Sequence, residues 1–395
     1  MDYPALRLKP KVDPRPLRRG FPWVYGSDLV MDRRAKGRVP GSLAVLEDGD
    51  RKPIGLVAVN PQSKITARLL DRDPEAVVDR VWLVARLERS LSLRRHLYDA
   101  PYYRLVHAEA DGLPGVVIDR FGALCVVQPN AAWAEVLIEE LAQAVMDVTG
   151  CATVLKNASG RARSLEGLDD VSGALIGETP TGPVPVPMND ATYLADLVGG
   201  QKTGIFYDQR PNHAFVAGLC DGARVLDVFS HVGGFALAAL AAGAQEALAV
   251  DGSAPALELA AGGAKAMGVQ DRFATRQGDA FEMLAALDKD GERFDVVICD
   301  PPAFAPAKPA LDAGLRAYEK VARLAAPLVR EGGYLCLCSC SHAVDLTAFR
   351  TASIRGVGRA RRSSALIHTG FAGPDHPVHP QLAATGYLKA LVFRL

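Results

Sequence analysis

From about residue 190 onward the sequence alternates apolar runs of strand length with helix-length stretches, and four successive runs carry an aspartate at or near their end. ARVLDVF, EALAVD, RFATRQGD and FDVVICD read as strands. FALAALAAGA, PALELAAGGAKAMG, AFEMLAALDKDG and LDAGLRAYEKVARLAAPLV read as helices between and after them, and GGYLCLCSCS as a further strand. Strict alternation of this kind demands a mostly parallel sheet, because each parallel crossover needs a connecting helix that covers one face. The expected class is therefore α/β with a Rossmann-like sheet. Ligands of such sheets bind beyond the carboxyl ends of the strands, where Asp227, Asp251, Asp279 and Asp300 fall in succession.

The first strand turns through FSHVGGF into its helix. That turn resembles a dinucleotide loop but lacks the full GxGxxG pattern that seats a pyrophosphate. S-adenosylmethionine (SAM) suits the acids better than a nicotinamide dinucleotide, since it has no phosphate and carries an ammonium and a sulfonium. On this reading Gly233 and Gly234 let the backbone approach the cofactor. Asp227 accepts from the ammonium, Asp251 binds the ribose hydroxyls, and Asp279 suits the adenine amino group. One aspartate at a strand end is commonly a cap or turn residue; four in succession beside a Gly-Gly turn carry the reading.

The fourth strand runs into CDPPAF, where Pro301 and Pro302 stiffen the loop behind Asp300. A rigid carboxylate can grip a base flipped out of its stack. Amino-group methyltransferases use a similar Asp-Pro-Pro-aromatic loop, although here Ala303 intervenes before Phe304. In LCLCSCSH, Cys336, Cys338 and Cys340 occupy alternate positions, so on one strand all three point to one face. Metal ligands rarely come from alternate residues of a single strand, and no metal is expected. Cys336 and Cys338 read as core; Cys340, at the carboxyl end beside Asp300, is a candidate nucleophile, with His342 a weaker candidate to assist. A thiolate is what methylation at carbon 5 of a pyrimidine requires: it adds to carbon 6 and makes carbon 5 enamine-like. N-methylation needs no such step.

The remainder divides in two. Residues 1–72 read as short strands punctuated by Pro, Gly and Asp, with no good helix, which suggests a small β-barrel. Residues 1–70 hold 14 Lys/Arg against 7 Asp/Glu on a chain of zero net charge. With the arginines and aromatics of RPLRRGFPWVYG, that segment is a candidate RNA-binding surface; Phe21 and Trp23 read first as core. Residues 73–188 read as a small α+β domain, with helices over 75–98 and 131–150, strands in YYRLVHAEA, VVIDRFG, ALCVVQ and ATVLKNA, and a Pro/Gly-rich boundary in GETPTGPVPVPMND. Residues 189–395 form the α/β domain. No apolar run approaches the roughly 18–20 residues of a membrane span, the start lacks a signal-peptide core, and seven cysteines without a CxxC pair argue against a disulfide framework. The expected location is the cytoplasm.

Together these motifs resemble the bacterial SAM-dependent 23S rRNA cytosine-C5 methyltransferases of the ribosomal RNA large subunit methyltransferase I type. The resemblance rests on GFPWVYGSDL, YYRLVHAEADGLPGVVIDRFG, GGQKTGIFYDQRPNH, VLDVFSHVGGFALAAL, VICDPPAF, CSCS, DHPVHP and GYLKALVFRL, and covers nearly the whole chain. It implies a PUA-like domain over 1–72, an EEHEE-type domain over 73–188 and a class I methyltransferase domain over 189–395. It also implies an RNA partner and, in many relatives, a homodimer. By the resemblance Gln209 and Arg210 lie against the cofactor, Ser230, Gly233 and Phe235 belong to its loop, and Cys340 is the nucleophile; Asp300, from its place after the fourth strand, is read as both a catalytic and a cofactor-binding residue. His231 and the additional cysteines 336 and 338 depart from the family pattern. IRGVGRARRSS carries no role. The rival readings are an rRNA N-methyltransferase acting on guanine or adenine, and a non-catalytic RNA-binding protein with a retained SAM fold; Cys340 and Asp300 speak against the second.

Overall fold

A computed structural model describes residues 3–199, 204–382 and 386–395. These form two compact units, one of residues 3–181, 197–199 and 374–382, the other of 182–196, 204–373 and 386–395.

The first unit opens with strands β1 (Ala5–Arg7), β2 (Trp23–Val24), β3 (Ser42–Glu47), β4 (Pro53–Val59) and β5 (Ala67–Asp71), in the order β1-β3-β4-β5-β2. The antiparallel meander β3-β4-β5 follows the runs read as strands. β1 adds a parallel edge to β3. Two helical turns, Arg15–Arg18 and Arg33–Lys36, stand where no helix was expected. Each is one turn long, too short for a periodic signal, and Asp32 starts the second by accepting from the Ala35 amide at 2.8 Å. The arginine-aromatic stretch is partly committed inside the fold. Arg15 pairs with Asp13 and Arg18 with Asp48, and the Trp23 indole donates to Glu109 at 2.8 Å.

The same unit holds a second sheet of β6 (Tyr102–His107), β7 (Val116–Phe121), β8 (Leu124–Pro129), β9 (Thr153–Lys156) and β10 (Gly173–Ile176), in the order β10-β9-β8-β7-β6. Its first helix begins at Arg80 rather than Glu75, because Asp79 caps it by accepting from the Trp82 amide at 2.9 Å. The stretch 131–150 is two helices, Ala132–Val136 and Ile138–Thr149, broken where Leu137 leaves helical geometry, and Gly150 ends the second at φ 67°.

The second unit starts at residue 182, within the Pro/Gly-rich stretch and ahead of the 188/189 division read from the sequence. There β11 (Val184–Met188) and β12 (Ala191–Ala195) form a hairpin. Pro185 and Pro187 take its exposed alternate positions, leaving Val186 and Met188 buried. Asn189 and Asp190 turn it with φ of 52° and 59°, a two-residue turn that suits strand twist. The main sheet follows: β13 (Arg224–Val228), β14 (Glu246–Asp251), β15 (Phe273–Gln277), β16 (Phe294–Cys299), β17 (Val329–Ser339), β18 (Ala365–Gly370) and β19 (Lys389–Arg394). Its order is β15-β14-β13-β16-β17-β19-β18, with β13 to β17 parallel and β19 antiparallel to both neighbours. Side chains alternate between two cores: Leu226, Val297, Leu335 and Leu337 on one face, Val225, Ile298, Cys336 and Cys338 on the other. The strand order reverses between β13 and β16, so the crevice for a ligand opens at their carboxyl ends. Among the described residues no helix is long and apolar enough to cross a membrane.

Candidate active site

After β13 the chain turns through Phe229, Ser230, His231, Val232 and Gly233 into the helix Gly234–Ala241. Phe229 and His231 have φ of 63° and 51°. Two non-glycine residues in the left-handed region of one turn are strained and persist only where the surroundings hold them. Here the Ser230 amide donates to the Val250 carbonyl at 3.1 Å and the His231 amide to Asp251 Oδ2 at 2.9 Å. Both glycines are required by the protein's own packing. A Cβ on Gly233 (φ 81°) would sit 3.0 Å from Leu237 and 3.2 Å from Ala260, and one on Gly234 would sit 2.9 Å from the His213 ring. Phe235 lies in the core, its ring edge-on to His213 at 4.4 Å.

The four acids fall into different environments. Asp227 is fully buried; its Oδ2 accepts from the Ala236 amide at 2.9 Å and its Oδ1 has no partner among the described residues. Burial, reinforced by Asp300 and Asp251, pushes its carboxyl up to about 8. The buried Ser230 hydroxyl is likewise unpartnered. Asp251 is half-buried and holds two loops, accepting from the Ser253 amide at 2.8 Å through Oδ1 and from His231 through Oδ2. Asp279 is exposed and lies two residues beyond β15. It caps the helix Ala280–Lys289, accepting from Phe281 and Glu282 amides at 2.9 and 3.1 Å, so its Oδ1 is spent on the ordinary role of an aspartate at that place. Asp300 follows β16; its amide donates to the Val228 carbonyl at 3.2 Å, and its Oδ2 accepts from Gln209 Nε2 at 2.8 Å. Gln209 Oε1 in turn accepts from Asn212 at 2.6 Å. Arg210 opens the helix Arg210–Ala217 with its guanidinium 5.4 Å from the Tyr207 ring centroid. Residues 200–203 of the GGQKTGIFYDQRPNH motif lie outside the described residues.

This set fits a ligand carrying a cation. Buried polar groups normally have partners, and an ammonium would satisfy Asp227 Oδ1 while offsetting the penalty on its charge. A pyrophosphate would meet the carboxylates of Asp251 and Asp300 as like charges and give Asp227 no cause to ionise.

Because β16 and β17 run parallel, with Cys299 opposite Leu337, their ends bring the 300–305 loop against Cys340. Cys340 Sγ lies 3.9 Å from the Pro301 carbonyl oxygen. It is the one cysteine that is not fully buried. Cys336 and Cys338 sit in the core with sulfurs 3.8 Å apart, the part of small apolar residues. Ser339 and Ser341, both fully buried, flank Cys340 and clasp Tyr318 of the helix Leu311–Ala325. The Ser339 hydroxyl donates to the Tyr318 oxygen at 2.9 Å, the Tyr318 and Ser341 hydroxyls lie 2.7 Å apart, and the Ala305 amide donates to Ser341 Oγ at 3.0 Å. These bonds tie the Cys340 turn to the Asp300 loop. Phe304 packs on Tyr318, ring centroids 4.9 Å apart. His342 is exposed, its ring 5.1 Å from that of Tyr387. Sequence reasoning missed Tyr318, Ser339, Ser341 and Asn212. The two serines had a signal, being polar residues that alternate with cysteines at the end of an apolar strand; Tyr318 had none beyond its place on an apolar helix stripe.

The family model described as S-adenosylmethionine-dependent methyltransferase matches residues 151–394, and that of a PUA-like domain matches residues 6–72. Curated relatives named ribosomal RNA large subunit methyltransferase I include one from Shewanella denitrificans, 32% identical with 99% of each chain covered, and one from Photobacterium profundum, 34% identical with 94% of this chain and 95% of the relative covered. Among solved structures, a chain from Streptococcus mutans assigned as a SAM-dependent methyltransferase superposes with TM-score 0.82 at 19% identity, covering 99% of this chain and 100% of its own. Another, assigned as a methyltransferase and complexed with SAH, reaches 0.83 at 19% identity with both chains fully covered.

Proposed function

The chain belongs to the ribosomal RNA large subunit methyltransferase I family of SAM-dependent methyltransferases, and we propose that it methylates carbon 5 of a cytosine in large-subunit ribosomal RNA. The observation that carries this reading is the meeting of a half-buried thiol with the Asp300 loop, Cys340 Sγ lying 3.9 Å from the Pro301 carbonyl. An N-methyltransferase has no use for a nucleophile there.

Asp227 and Ser230, with their unpartnered oxygens, and Asp251 would hold the cofactor beside Gln209. When bound, SAM supplies an electrophilic methyl group. Cys340, as thiolate, adds to carbon 6 of the flipped base. The displaced electron pair passes into the ring, and a proton shared between Asp300 and ring nitrogen N3 offsets the charge. Carbon 5 thereby becomes nucleophilic. After carbon 5 is methylated, a base takes its proton, the carbon 5–carbon 6 double bond re-forms, and the bond to Cys340 breaks, regenerating the thiolate. Gln209, donating to Asp300 Oδ2, fixes that carboxyl for the base edge. The PUA-like segment and its basic surface supply RNA affinity, and such a substrate places the enzyme in the cytoplasm.

The test is Cys340→Ala together with a target RNA carrying 5-fluorocytosine. Loss of methylation in the variant, with SAM binding retained, and a covalent adduct on the wild-type chain are expected. Retained activity, no adduct, and a methylated guanine or adenine in digests would replace this reading with N-methylation.

A further inference from the structure

Lys389 is the first residue of β19 and lies opposite Ser339, the last of β17. It is 5% exposed. Its ammonium donates to two carbonyl oxygens of the turn that follows Cys340: Ser341 at 2.8 Å and Val344 at 2.7 Å. That leaves one of its three N–H groups over. Among the described residues it has no carboxylate within ion-pair distance, and a buried ammonium without a counter-charge is costly.

The charged and titratable groups around this turn are few. Asp345 is exposed, with its Oδ1 accepting from the Ala348 amide at 2.7 Å. Tyr318, from the facing helix, is held by Ser339 and Ser341, and its hydroxyl is raised above its ordinary range by burial first, with Cys340 adding to the rise. His342 is exposed, and Asp300 is engaged by Gln209. Burial pulls Lys389 down to about 8, while Cys340 and then Asp345 favour its charged form. Lys389 lies opposite Ser339 and holds the Ser341 carbonyl, so the buried ammonium is fixed to the backbone on both sides of Cys340.

We propose that Lys389 is the positioning residue that activates Cys340: its buried charge stabilises the thiolate, and its two hydrogen bonds fix the turn that presents the sulfur. This rests on the reading of Cys340 as nucleophile. The thiol proton leaves to bulk water while Lys389 keeps its own, so a neutral thiol beside an unpaired ammonium becomes a thiolate beside its counter-ion. Free cysteine ionises near about 8.5, so a neighbouring cation is the kind of device a nucleophilic thiol at neutral pH needs.

The experiment measures the thiol and not the reaction, so its outcome is independent of whether Cys340 attacks RNA. The full-length protein is alkylated with iodoacetamide across pH 5–10, and modification of Cys340 is followed by peptide mass spectrometry. In the wild type the midpoint is expected below the ordinary ~8.5. Lys389→Met removes charge and hydrogen bonds; Lys389→Gln removes the charge but keeps an amide donor for the carbonyls. Both should raise the midpoint by about one pH unit or more, slowing alkylation at pH 7 about tenfold. A structural role alone would leave the Lys389→Gln midpoint where the wild type has it. That result, or a wild-type midpoint at or above ~8.5, would overturn the proposal; the wild-type measurement stands even if both variants fail to fold. Methylation lost in Cys340→Ala and retained thiol activation by Lys389 are separate findings, so failure of one does not imitate failure of the other.

Discussion

Asp227→Asn isolates the charge that the proposed cofactor site is built around. The wild-type carboxyl rises from an ordinary 3.8 to about 8 because it is buried with one oxygen unpartnered. Between those values the native state keeps a proton that the unfolded chain has lost. The contribution to stability is therefore complete below about pH 4, falls by about 1.4 kcal/mol per pH unit as pH rises, and levels off above about pH 8. Integrated over that window, the cost is on the order of 5 kcal/mol for this one residue. Asparagine keeps the Ala236 hydrogen bond and cannot ionise, so the cofactor-free variant should be more stable than the wild type at pH 8 and comparable only near pH 4. Urea unfolding across pH 4–9 reads this directly. A bound ammonium reverses the logic: it favours the carboxylate, so SAM binding should expel the proton. At pH 7 about nine-tenths of a proton should be released, and close to none at pH 9. Calorimetry in buffers of different ionisation enthalpy counts it. In Asp227→Asn the release should vanish and affinity should fall about 10- to 100-fold, the worth of a charged hydrogen bond. Matching pH profiles in the two proteins, or SAM binding without proton release in the wild type, would refute the assignment of Asp227 to the ammonium.

Ser341→Ala unties the Tyr318 and Ala305 bonds, costing about 1–3 kcal/mol; kcat should fall while SAM affinity measured by calorimetry holds. Cys336→Ala and Cys338→Ala remove buried sulfurs from the core and should each lower stability by about 1–2 kcal/mol with methylation per folded molecule unchanged in a tritium-transfer assay. In the PUA-like region, Tyr25, Lys36, Gln62 and Lys64 line an open groove of about 690 Å³. Replacing Lys36 and Lys64 by Ala should flatten the slope of log affinity against log salt by about 1.4, the equivalent of two phosphate contacts on single-stranded RNA, with SAM binding intact.

The α/β sheet was legible because its central strands β13 and β16 are buried on both faces and helices such as Leu311–Ala325 bury a single stripe, so both periods show in the sequence. The same physics hid its other edge. β18 and β19 are reached after a long excursion, and β19 pairs with β17 across some fifty residues of chain; no local pattern encodes that return. The helix Leu346–Arg359 and the arginines that follow carried no role in the sequence, yet Arg362 donates to the Ala326 and Val329 carbonyls at 3.1 and 2.6 Å and so pins the start of β17. At the ligand edge, four aspartates looked equivalent because strand ends are all a sequence can show. Folding sorts them by what else needs an acceptor: Asp279 caps a helix, Asp251 holds two loops, Asp300 takes Gln209, and Asp227 keeps a buried oxygen with no partner among the described residues.

The reacting end shows the same division between local and non-local information. LCLCSCSH could be parsed by alternation alone, since a strand sends Cys336 and Cys338 to one core, and the position at its end goes to a thiol beside the Asp300 loop. What activates that thiol could not be parsed, because the cation comes from GYLKALVFRL, on a strand that meets β17 only when the sheet closes. Its one trace in the sequence is a lysine that opens a strand whose next four residues, Ala390 to Phe393, are apolar. A charge in such a place is expensive to bury, and strands do not keep it without a partner. In this chain the two carbonyls of the turn supply only part of that partnership, and the remainder is a sulfur whose ionised form the same charge favours.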